Sequence, residues 1–335
     1  MLAMQLNGPG QPLRPERLAI PAPAAGQLLL QVEACGVCRT DLHLVDGEVA
    51  ARYPVVPGHE VVGRIARLGA GVDGLRQGDR LGAGWLAWAC GVCGACRRGE
   101  ENLCDAIRFN GCHHNGGYAE FMLAEAAYTY PLPPCYDAAH AAPLMCAGLI
   151  GYRAYAMAGR PARLGIYGFG AAAQLVAQVA ASQGCEVYAF TRPGDRAAQA
   201  FAMDLGAVWA GDAAQPPPVA LDAALIFAPD GALVPRALAA VRKGGRVVCG
   251  GIHMSDIPAF PYKLLWGERS LRSVANLTCA DAAAFLDIAA RHKLRVEIQA
   301  YPLDQANEAL ADLRARRVQG AAVLLPGPER PGQAY

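Results

Sequence analysis

Four cysteines crowd into one short stretch of the chain and limit what that stretch can fold into. Their spacing is Cys90-x2-Cys93-x2-Cys96-x7-Cys104, and the glycines between them permit tight turns. Four thiolates this close in sequence can converge on one ion, and four sulfurs complete the closed tetrahedral site of a structural zinc. The metal then stabilises a loop that has little core of its own. The pattern predicts a zinc lobe.

Two other interpretations of the four cysteines fit the spacing less well. An iron–sulfur cluster of the bacterial type has three residues before its fourth cysteine and a proline after it. Here seven residues intervene and Asp105 follows. Buried or free cysteines without a metal are the other alternative, and four cysteines within fifteen positions argue against it.

Composition narrows the class of protein further. The chain has 335 residues, 53% of them hydrophobic, and a net charge of +1. This length suits two domains with a large core. The balanced charge favours neither a nucleic acid nor an acidic membrane as partner. Neither a spanning apolar run nor the apolar core of a signal peptide is present. We therefore expect a cytoplasmic protein, in which twelve cysteines more often bind metal than form disulfides.

The pattern of apolar residues changes near Cys146. Before it, short alternating apolar runs such as 28–32 and 61–68 are separated by glycines and indicate strands. After it, strands and helices alternate, which predicts a parallel sheet with helices on both faces. The predicted strands are 164–167, 186–190, 221–227, 246–249, 271–274 and 321–325, and the predicted helices are 171–182, 195–205, 281–291 and 304–316. We expect a surface loop at the triple proline 216–218 and poor order in 326–335.

Three further residues carry motifs that are specific only when they are taken together. Cys38 lies in CGVCRTDLH, His59 in PGHE and Cys146 in PLMCAG. These strings resemble the catalytic-zinc ligands of zinc-dependent alcohol dehydrogenases, in the same order. That family belongs to the medium-chain dehydrogenase/reductase superfamily. The four-cysteine lobe falls where it keeps its structural zinc, and the resemblance covers essentially the whole chain.

The resemblance implies a fold, an activity and an assembly. It implies a GroES-like, mostly-β catalytic domain over 1–148 and 283–335, and a Rossmann NAD(P)-binding domain over 149–282. It implies two zinc ions per subunit, a small alcohol or aldehyde as substrate, and a homodimer or homotetramer built partly by edge pairing of the nucleotide-domain sheets. Two thiolates and one imidazole leave the fourth zinc position open. There the zinc polarises the alcohol as an alkoxide, from which hydride leaves readily.

The resemblance also assigns roles around the catalytic zinc. Asp41 would orient the His59 imidazole, and Glu60 would lie close to the metal on its far side. Thr40 would start a proton relay that His43 completes. The alternative is that Thr40 and Asp41 simply begin a helix.

The resemblance also separates a residue that would contact the cofactor from cysteines that would have no metal. Arg39 would meet the cofactor pyrophosphate, or else be a solvated charge. Cys35 is extra, because the family pattern places the ligand at the cysteine before Arg-Thr-Asp. The cysteines without partner spacing are predicted to be structural, and they are Cys112, Cys135, Cys185, Cys249 and Cys279.

A glycine motif marks the nucleotide site. Gly168-Phe169-Gly170-Ala171-Ala172-Ala173 follows an apolar strand and opens a helix, which is the context a dinucleotide fingerprint requires. The first glycine permits the tight turn, and the second lets the backbone approach the pyrophosphate at the helix N-terminus. Later strand ends would flank the cofactor. They contribute Phe227, Ala228, Gly250, Gly251 and Ile252, with Asn276 on the nicotinamide side.

The next strand end bears on the choice of cofactor. NAD sites usually carry an acidic residue there that binds the ribose 2′-hydroxyl. Here Thr191 stands at that place, followed by Arg192, which could hold a 2′-phosphate. This favours NADP over NAD. The alternative is that Arg192 faces solvent and Asp195 serves the ribose.

Three residues resemble substrate-pocket positions of the family: Val49, Trp85 and Leu86. Val49 stands where some relatives have a large aromatic residue, so we predict primary alcohols and aldehydes of medium size, aromatic ones included. A polyol or secondary-alcohol dehydrogenase is the alternative within the superfamily. Cys146 argues against a polyol enzyme, since those more often use a carboxylate as third ligand. A non-enzymatic zinc module is the alternative outside it, and the complete fingerprint argues against that.

Overall fold

The structure is a computed structural model that describes residues 1–327. The poor order expected of 326–335 therefore falls almost entirely outside the described residues. The chain divides into two compact units. Unit 1 comprises Met1–Cys146, Thr278–Ala290 and the residues from Val296 on, and unit 2 comprises Ala147–Leu277 and Arg291–Arg295.

The helices and strands follow one another along the chain in three stretches. The first contains β1 (Leu2–Gln5), β2 (Arg14–Arg17), β3 (Gln27–Val37), α1 (Arg39–Val45), β4 (Glu60–Leu68), β5 (Arg80–Ala83), β6 (Leu86–Trp88), α2 (Gly94–Arg97), β7 (Arg108–Phe109), β8 (Phe121–Glu125), β9 (Thr129–Pro131) and α3 (Ala138–Ala141). The second contains α4 (Ala147–Ala158), β10 (Arg163–Tyr167), α5 (Ala171–Ser182), β11 (Glu186–Thr191), α6 (Arg196–Asp204), β12 (Trp209–Asp212), β13 (Leu221–Ile226), α7 (Leu233–Ala240), β14 (Val241–Cys249) and β15 (Ser270–Ser273). The third contains α8 (Cys279–Arg291), β16 (Ile298–Pro302), α9 (Ala306–Arg314) and β17 (Ala321–Leu325). No helix in the described part of the chain is long and apolar enough to cross a membrane.

The main sheet of unit 1 has the strand order β16-β17-β3-β4-β5-β9, and β8 also pairs with β3. Strand β3 is largely buried and packs Leu28 and Leu30 into the core beside Val61 and Ile65 of β4. The two strands run antiparallel, with Gly36 opposite Glu60. The end of β3 and the start of β4 therefore lie side by side, and the residues just beyond them are neighbours.

Unit 2 contains a parallel sheet of order β12-β11-β10-β13-β14-β15. Buried apolar runs form its central strands, as expected where helices cover both faces. The predicted fold class, a mostly-β domain with a Rossmann domain, is confirmed. Strand β12 and helices α4 and α7 went unpredicted. Strand β12 is a four-residue edge with Gly211 and Asp212, and α7 carries Pro235 in its first turn, where proline is tolerated.

The connection from β12 to β13 is short and contains no helix. Parallel strands of one sheet are normally joined by a crossover of a dozen or more residues, usually a helix. In this sheet β11 and β10 lie between β12 and β13. Here residues 213–220, all of them described, form turns and the predicted proline loop without a helix. Aromatic rings fill the space beside the loop: Tyr167 stacks on Phe190 at 4.1 Å, and Phe190 meets Trp209 at 5.1 Å. A cavity of about 560 Å³ remains between the loop, Tyr167 and Arg236.

Candidate active site and zinc lobe

Residues far apart in sequence meet in unit 1. The ligand atoms of Cys38, His59, Glu60 and Cys146 all lie within 4.8 Å of one another. The Sγ atoms of Cys38 and Cys146 are 3.8 Å apart. Two sulfurs bound to one tetrahedral zinc are separated by about 3.8 Å. The Nε2 atom of His59 is buried and finds no hydrogen-bond partner among the described residues. This orphaned nitrogen beside two thiols fits a zinc ion.

Three different elements deliver these ligands. Cys38 follows β3 and begins α1, where its backbone N–H donates to Asp41 Oδ2 at 2.8 Å. His59 precedes β4, and Gly58 turns the chain into it at a φ of +98°. A Cβ at Gly58 would lie 2.4 Å from a buried tyrosine ring, so a side chain is excluded there. Cys146 ends the short 3-10 helix Ala142–Met145.

Burial and the hydrogen bonds within the cluster shift the pKa values of its four ionisable side chains. The hydrogen bond from Cys146 lowers the pKa of Cys38, and the same bond, together with burial, raises the pKa of Cys146. Burial raises the pKa of Glu60. Burial lowers the pKa of His59, but Asp41 and Cys38 outweigh it, so that the pKa lies above its usual value. A bound cation favours two thiolates and a neutral imidazole.

The four-cysteine lobe is the second cluster. The Sγ atoms of Cys90, Cys93, Cys96 and Cys104 lie within 4.8 Å of one another, with Cys90 and Cys96 4.0 Å apart. Backbone N–H groups point at the sulfurs: that of Cys93 donates to Cys90 at 3.3 Å. The N–H groups of Val92 and Cys93 lower the pKa of Cys90 to about 6. Partial desolvation and the bond to Cys93 raise the pKa of Cys96 to about 12. Four converging sulfurs fit a closed zinc site.

The glycine motif lies at the carboxyl edge of the unit 2 sheet. Gly168 has a φ of +87°, and a Cβ there would lie 2.8 Å from the backbone N of Ala228. A Cβ at Gly170 would meet nothing within 4 Å. Helix α5 begins one residue later and has 12 residues. Its first N–H groups are therefore open to an anion such as a pyrophosphate.

Comparisons with known proteins agree with both units. A model of the alcohol dehydrogenase GroES-like domain matches residues 24–134, and a model of zinc-binding dehydrogenases matches residues 205–324. The chain is 48% identical over 338 residues to a Mycobacterium tuberculosis protein named "Probable alcohol dehydrogenase AdhA", covering 97% of each chain. The chain belongs to the zinc-dependent alcohol dehydrogenases.

Solved structures extend the likeness to the whole fold. An acetophenone reductase of Geotrichum candidum in complex with NAD is 25% identical, with a TM-score of 0.86 and 96% coverage of both chains. A protein of Sinorhizobium meliloti bound to NADP is also 25% identical, with a TM-score of 0.86 and coverage of 97% of this chain and 99% of that one. The predicted family and enzyme class are confirmed: this is an NAD(P)-dependent alcohol dehydrogenase with zinc sites.

Two polar contacts lie next to the cluster of Cys38, His59 and Cys146 in this alcohol dehydrogenase. Asp41 Oδ1 lies 3.3 Å from His59 Nδ1, the ring nitrogen opposite the orphaned one. Thr40 is buried, with its hydroxyl 3.7 Å from the Cys38 sulfur. His43 lies on the same helix and pairs through Nδ1 with Glu48. Arg39 is exposed.

Aromatic rings border the cluster on one side. The ring centroid of Trp85 lies 6.1 Å from that of His59, and Trp85 stacks on Phe109 at 4.3 Å. Leu86 is buried on β6, and Val49 is half-buried against the core of unit 1. Of the predicted pocket residues, the structure thus brings Trp85 beside His59.

The end of β11 is held by a polar network. Thr191 is buried, and its hydroxyl accepts a hydrogen bond from Gln199 Nε2 at 3.1 Å. Gln199 also donates to Asp212 on β12 at 2.9 Å. Arg192 is 67% exposed and lies 3.3 Å from Asp195, whose side chain caps α6. The threonine is thus engaged within the protein, and the arginine side chain reaches solvent.

The other predicted cofactor residues follow neighbouring parallel strands. Phe227 and Ala228 follow β13, and Gly250 follows β14, where a Cβ would strike the Phe227 ring at 2.6 Å. Gly251 and Ile252 continue from Gly250. Asn276 is buried with a φ of +57°, and its Nδ2 atom has no hydrogen-bond partner in residues 1–327.

Sequence reasoning missed several residues that touch these sites. They are Glu48, Phe109, Tyr118, Gln199 and Asp212. Phe109 reaches Trp85, and Tyr118 reaches Gly58 and Asp41, through long-range packing that no local spacing encodes. Glu48 is five residues from His43, beyond a glycine turn, and no motif marks it.

Proposed function

We propose that the enzyme transfers hydride between NAD(P) and a primary alcohol or aldehyde of medium size. The observation that carries this proposal is the convergence of Cys38, Cys146 and the orphaned His59 Nε2 beside the Trp85 ring. Unit 1 would hold the zinc chemistry and unit 2 the nucleotide.

We infer the following roles around the zinc site. Cys38, His59 and Cys146 would hold the ion, which supplies Lewis acidity that favours loss of the alcohol proton. The buried Thr40 hydroxyl would accept that proton and His43 would pass it towards solvent. Asp41 would fix the imidazole of His59 by accepting the proton on Nδ1. Glu60, whose raised pKa reflects burial beside the same cluster, would serve as an occasional ligand.

The stacked rings of Trp85 and Phe109 support a preference for aromatic or medium-size apolar substrates, since flat rings stack on one another favourably. The half-buried Val49 leaves more space than an aromatic residue would. Specificity constants across ethanol, butanol, hexanol, benzyl alcohol, cyclohexanol and sorbitol test this. We expect hexanol or benzyl alcohol to lead; ethanol leading would overturn the substrate proposal, and sorbitol leading would favour the polyol alternative.

Arg192 supports NADP as the preferred cofactor, because its exposed guanidinium could hold a 2′-phosphate. The ion pair with Asp195 holds it near the end of β11. We expect Arg192→Ala to raise the KM for NADP about tenfold and to leave that for NAD unchanged. Asp195→Asn keeps an N-cap oxygen but frees the arginine, and it should lower the KM for NADP. Equal KM values for both cofactors in all three proteins would exclude the arginine as the determinant.

We further propose a homodimer or homotetramer that forms partly through the β15 edge. The segment before β15 exposes large apolar side chains, with Tyr262 70% and Trp266 60% exposed, and exposed apolar patches commonly mark interfaces. Light scattering after size exclusion should give two or four chains. Trp266→Lys should weaken the assembly, and a monomeric wild type would refute the proposal.

A further inference from the structure

We propose that the cavity beside the proline loop of unit 2 binds a small aromatic carboxylate. The cavity has a volume of about 560 Å³, which lies within the usual range for small-molecule sites. Residues of unit 2 alone form it. The inference therefore does not depend on the alcohol or the cofactor proposed above.

The cavity lies where no helix covers the sheet. A crossover between parallel strands usually includes a helix, but residues 213–220 form only turns and the proline loop. Apolar residues contribute much of the lining, namely residues 216–219 of the loop and Ala239 and Ala240 of α7. Prolines fix the backbone φ angle, so this part of the lining needs little ordering when a ligand binds.

One guanidinium in the cavity has no counter-ion. Arg236 lies on α7, and within residues 1–327 it forms neither a hydrogen bond nor an ion pair. The other two arginines of the lining are engaged. Arg242 Nε donates to Asp222 Oδ1 at 2.6 Å, and Arg269 donates to two backbone carbonyl oxygens. No acidic residue lines the cavity in the described part of the chain. The charge of Arg236 therefore favours an anionic ligand.

A buried phenol supplies a second donor. Tyr167 lines the cavity and is 1% exposed, and its hydroxyl has no hydrogen-bond partner among the described residues. Burial raises the pKa of Tyr167, while the nearby positive charge of Arg236 opposes that rise. The hydroxyl therefore stays protonated at neutral pH and can donate. A buried donor without a partner costs free energy, and a ligand oxygen would remove that cost.

Together these groups favour a flat monoanion with an apolar body. A guanidinium presents two parallel N–H groups that match the two oxygens of a carboxylate, and the Tyr167 hydroxyl can donate to the same group. The proline and alanine side chains would contact an aromatic ring. Inorganic phosphate offers no apolar body and would lose hydration beside these walls. Benzoate combines the required charge and ring.

Isothermal titration calorimetry of the zinc-loaded enzyme with benzoate, benzamide and inorganic phosphate tests the ligand class. We expect benzoate to bind with a Kd on the order of 1 mM. Benzamide lacks the charge and phosphate lacks the ring, so both should bind at least about tenfold more weakly. Phosphate binding as tightly as benzoate would overturn the aromatic assignment, and an absence of benzoate binding would overturn the site.

Three variants test where benzoate binds. Arg236→Gln should weaken its binding about tenfold, because a charge-assisted bond is lost. Tyr167→Phe keeps the ring but removes the donor, and it should weaken binding about fivefold. The control is Arg163→Gln, which breaks an exposed pair with Glu186 at 3.4 Å and removes the same charge elsewhere in unit 2. The control should bind as the wild type does. Wild-type affinity in Arg236→Gln would overturn the proposal.

A zinc ion could also hold a carboxylate, so Cys146→Ser serves as a second control. This variant is expected to lack the catalytic zinc and should bind benzoate as tightly as the wild type does. Loss of benzoate binding in Cys146→Ser, combined with full binding in Arg236→Gln, would place the ligand at the zinc and overturn the cavity site.

Discussion

The two metal clusters of unit 1 are built in opposite ways. The lobe takes its four sulfurs from Cys90 to Cys104, and the chain between them is little more than turns and α2. The catalytic cluster joins Cys38 to Cys146, 108 residues away, through the end of β3, the start of β4 and a 3-10 helix. A closed site can thus come from local chain geometry, whereas the open site depends on the packing of the sheet.

The surroundings of the ligands differ in the same sense. In the lobe, backbone N–H groups donate to the sulfurs, and Cys90, Cys93 and Cys96 are half-exposed. In the catalytic cluster, His59 is 1% exposed, and the buried carboxylate of Asp41 lies 3.3 Å from its Nδ1 atom. The lobe should therefore affect stability most when it is broken, and the catalytic cluster should affect chemistry most.

The largest effect is expected from Cys146→Ser. The hydroxyl is a far poorer zinc ligand than a thiolate, so turnover should fall roughly a thousandfold, in line with the several kcal/mol that a Lewis-acid metal supplies. Metal analysis should find one zinc per chain, with melting close to that of the wild type. Cys112→Ser, a buried cysteine of the same unit, serves as the control and should keep both ions. Two zinc ions and full turnover in Cys146→Ser would remove Cys146 from the ligand set.

Cys96→Ser tests the four-cysteine lobe. Loss of the lobe zinc removes the bonds that hold a segment with little core, so we expect the melting temperature to fall by roughly 5–10 °C. One zinc should remain per chain, and turnover by the folded fraction should fall much less than in Cys146→Ser. An unchanged melting curve would argue against a structural role for the lobe.

Asp41→Asn should have an intermediate effect that is confined to the catalytic cluster. The amide oxygen can still accept from the Cys38 N–H, so the start of α1 is kept, but the charge that orients His59 is lost. Affinity for the catalytic zinc should drop 10- to 100-fold, as is usual when such a carboxylate is replaced. Titration with a competing chelator measures this. Equal weakening of both zinc ions would show that Asp41 acts on overall stability instead.

The smallest effect is expected from a cysteine outside both clusters. Burial raises the pKa of Cys185 to about 12, and its thiol donates to the Glu186 carbonyl oxygen. Cys185→Ser should cost about 1 kcal/mol of stability because it buries a hydroxyl, while both zinc ions and the turnover rate are retained. Loss of a zinc from this variant would show that Cys185 supports a metal site, and the assignment of Cys185 to the cysteines without a metal would be wrong.

The same contrast decided what could be predicted from the sequence. All four lobe cysteines could be proposed from spacing alone, because the ligands are neighbours in the chain. Cys38, His59 and Cys146 became convincing together only through the family resemblance, since their meeting depends on strand register. The parallel sheet followed from alternating strands and helices, but β12 was too short and too polar to produce a pattern.

Contacts made by side chains across turns or between strands could not be predicted from the sequence. Nothing in the spacing shows that Gln199 engages Thr191, because that contact requires α6 to pack against the end of β11. Likewise, Phe109 reaches Trp85 only through the pairing of β6 with β7. Residues of this kind lie one contact away from the motifs and are encoded by the fold.

The helix-free crossover at 213–220 has a consequence for local opening. Three consecutive prolines supply no N–H groups there, and β12 is an edge strand that pairs only with β11 in the described sheet. We expect the β12 amides to exchange with deuterium sooner than those of β10 or β13. Because Asp212 accepts hydrogen bonds from Gln199 and from the Gly194 N–H, each opening would also loosen the turn that carries Arg192. A nucleotide that contacts this turn should therefore slow exchange along β12, a protection that mass spectrometry can follow peptide by peptide.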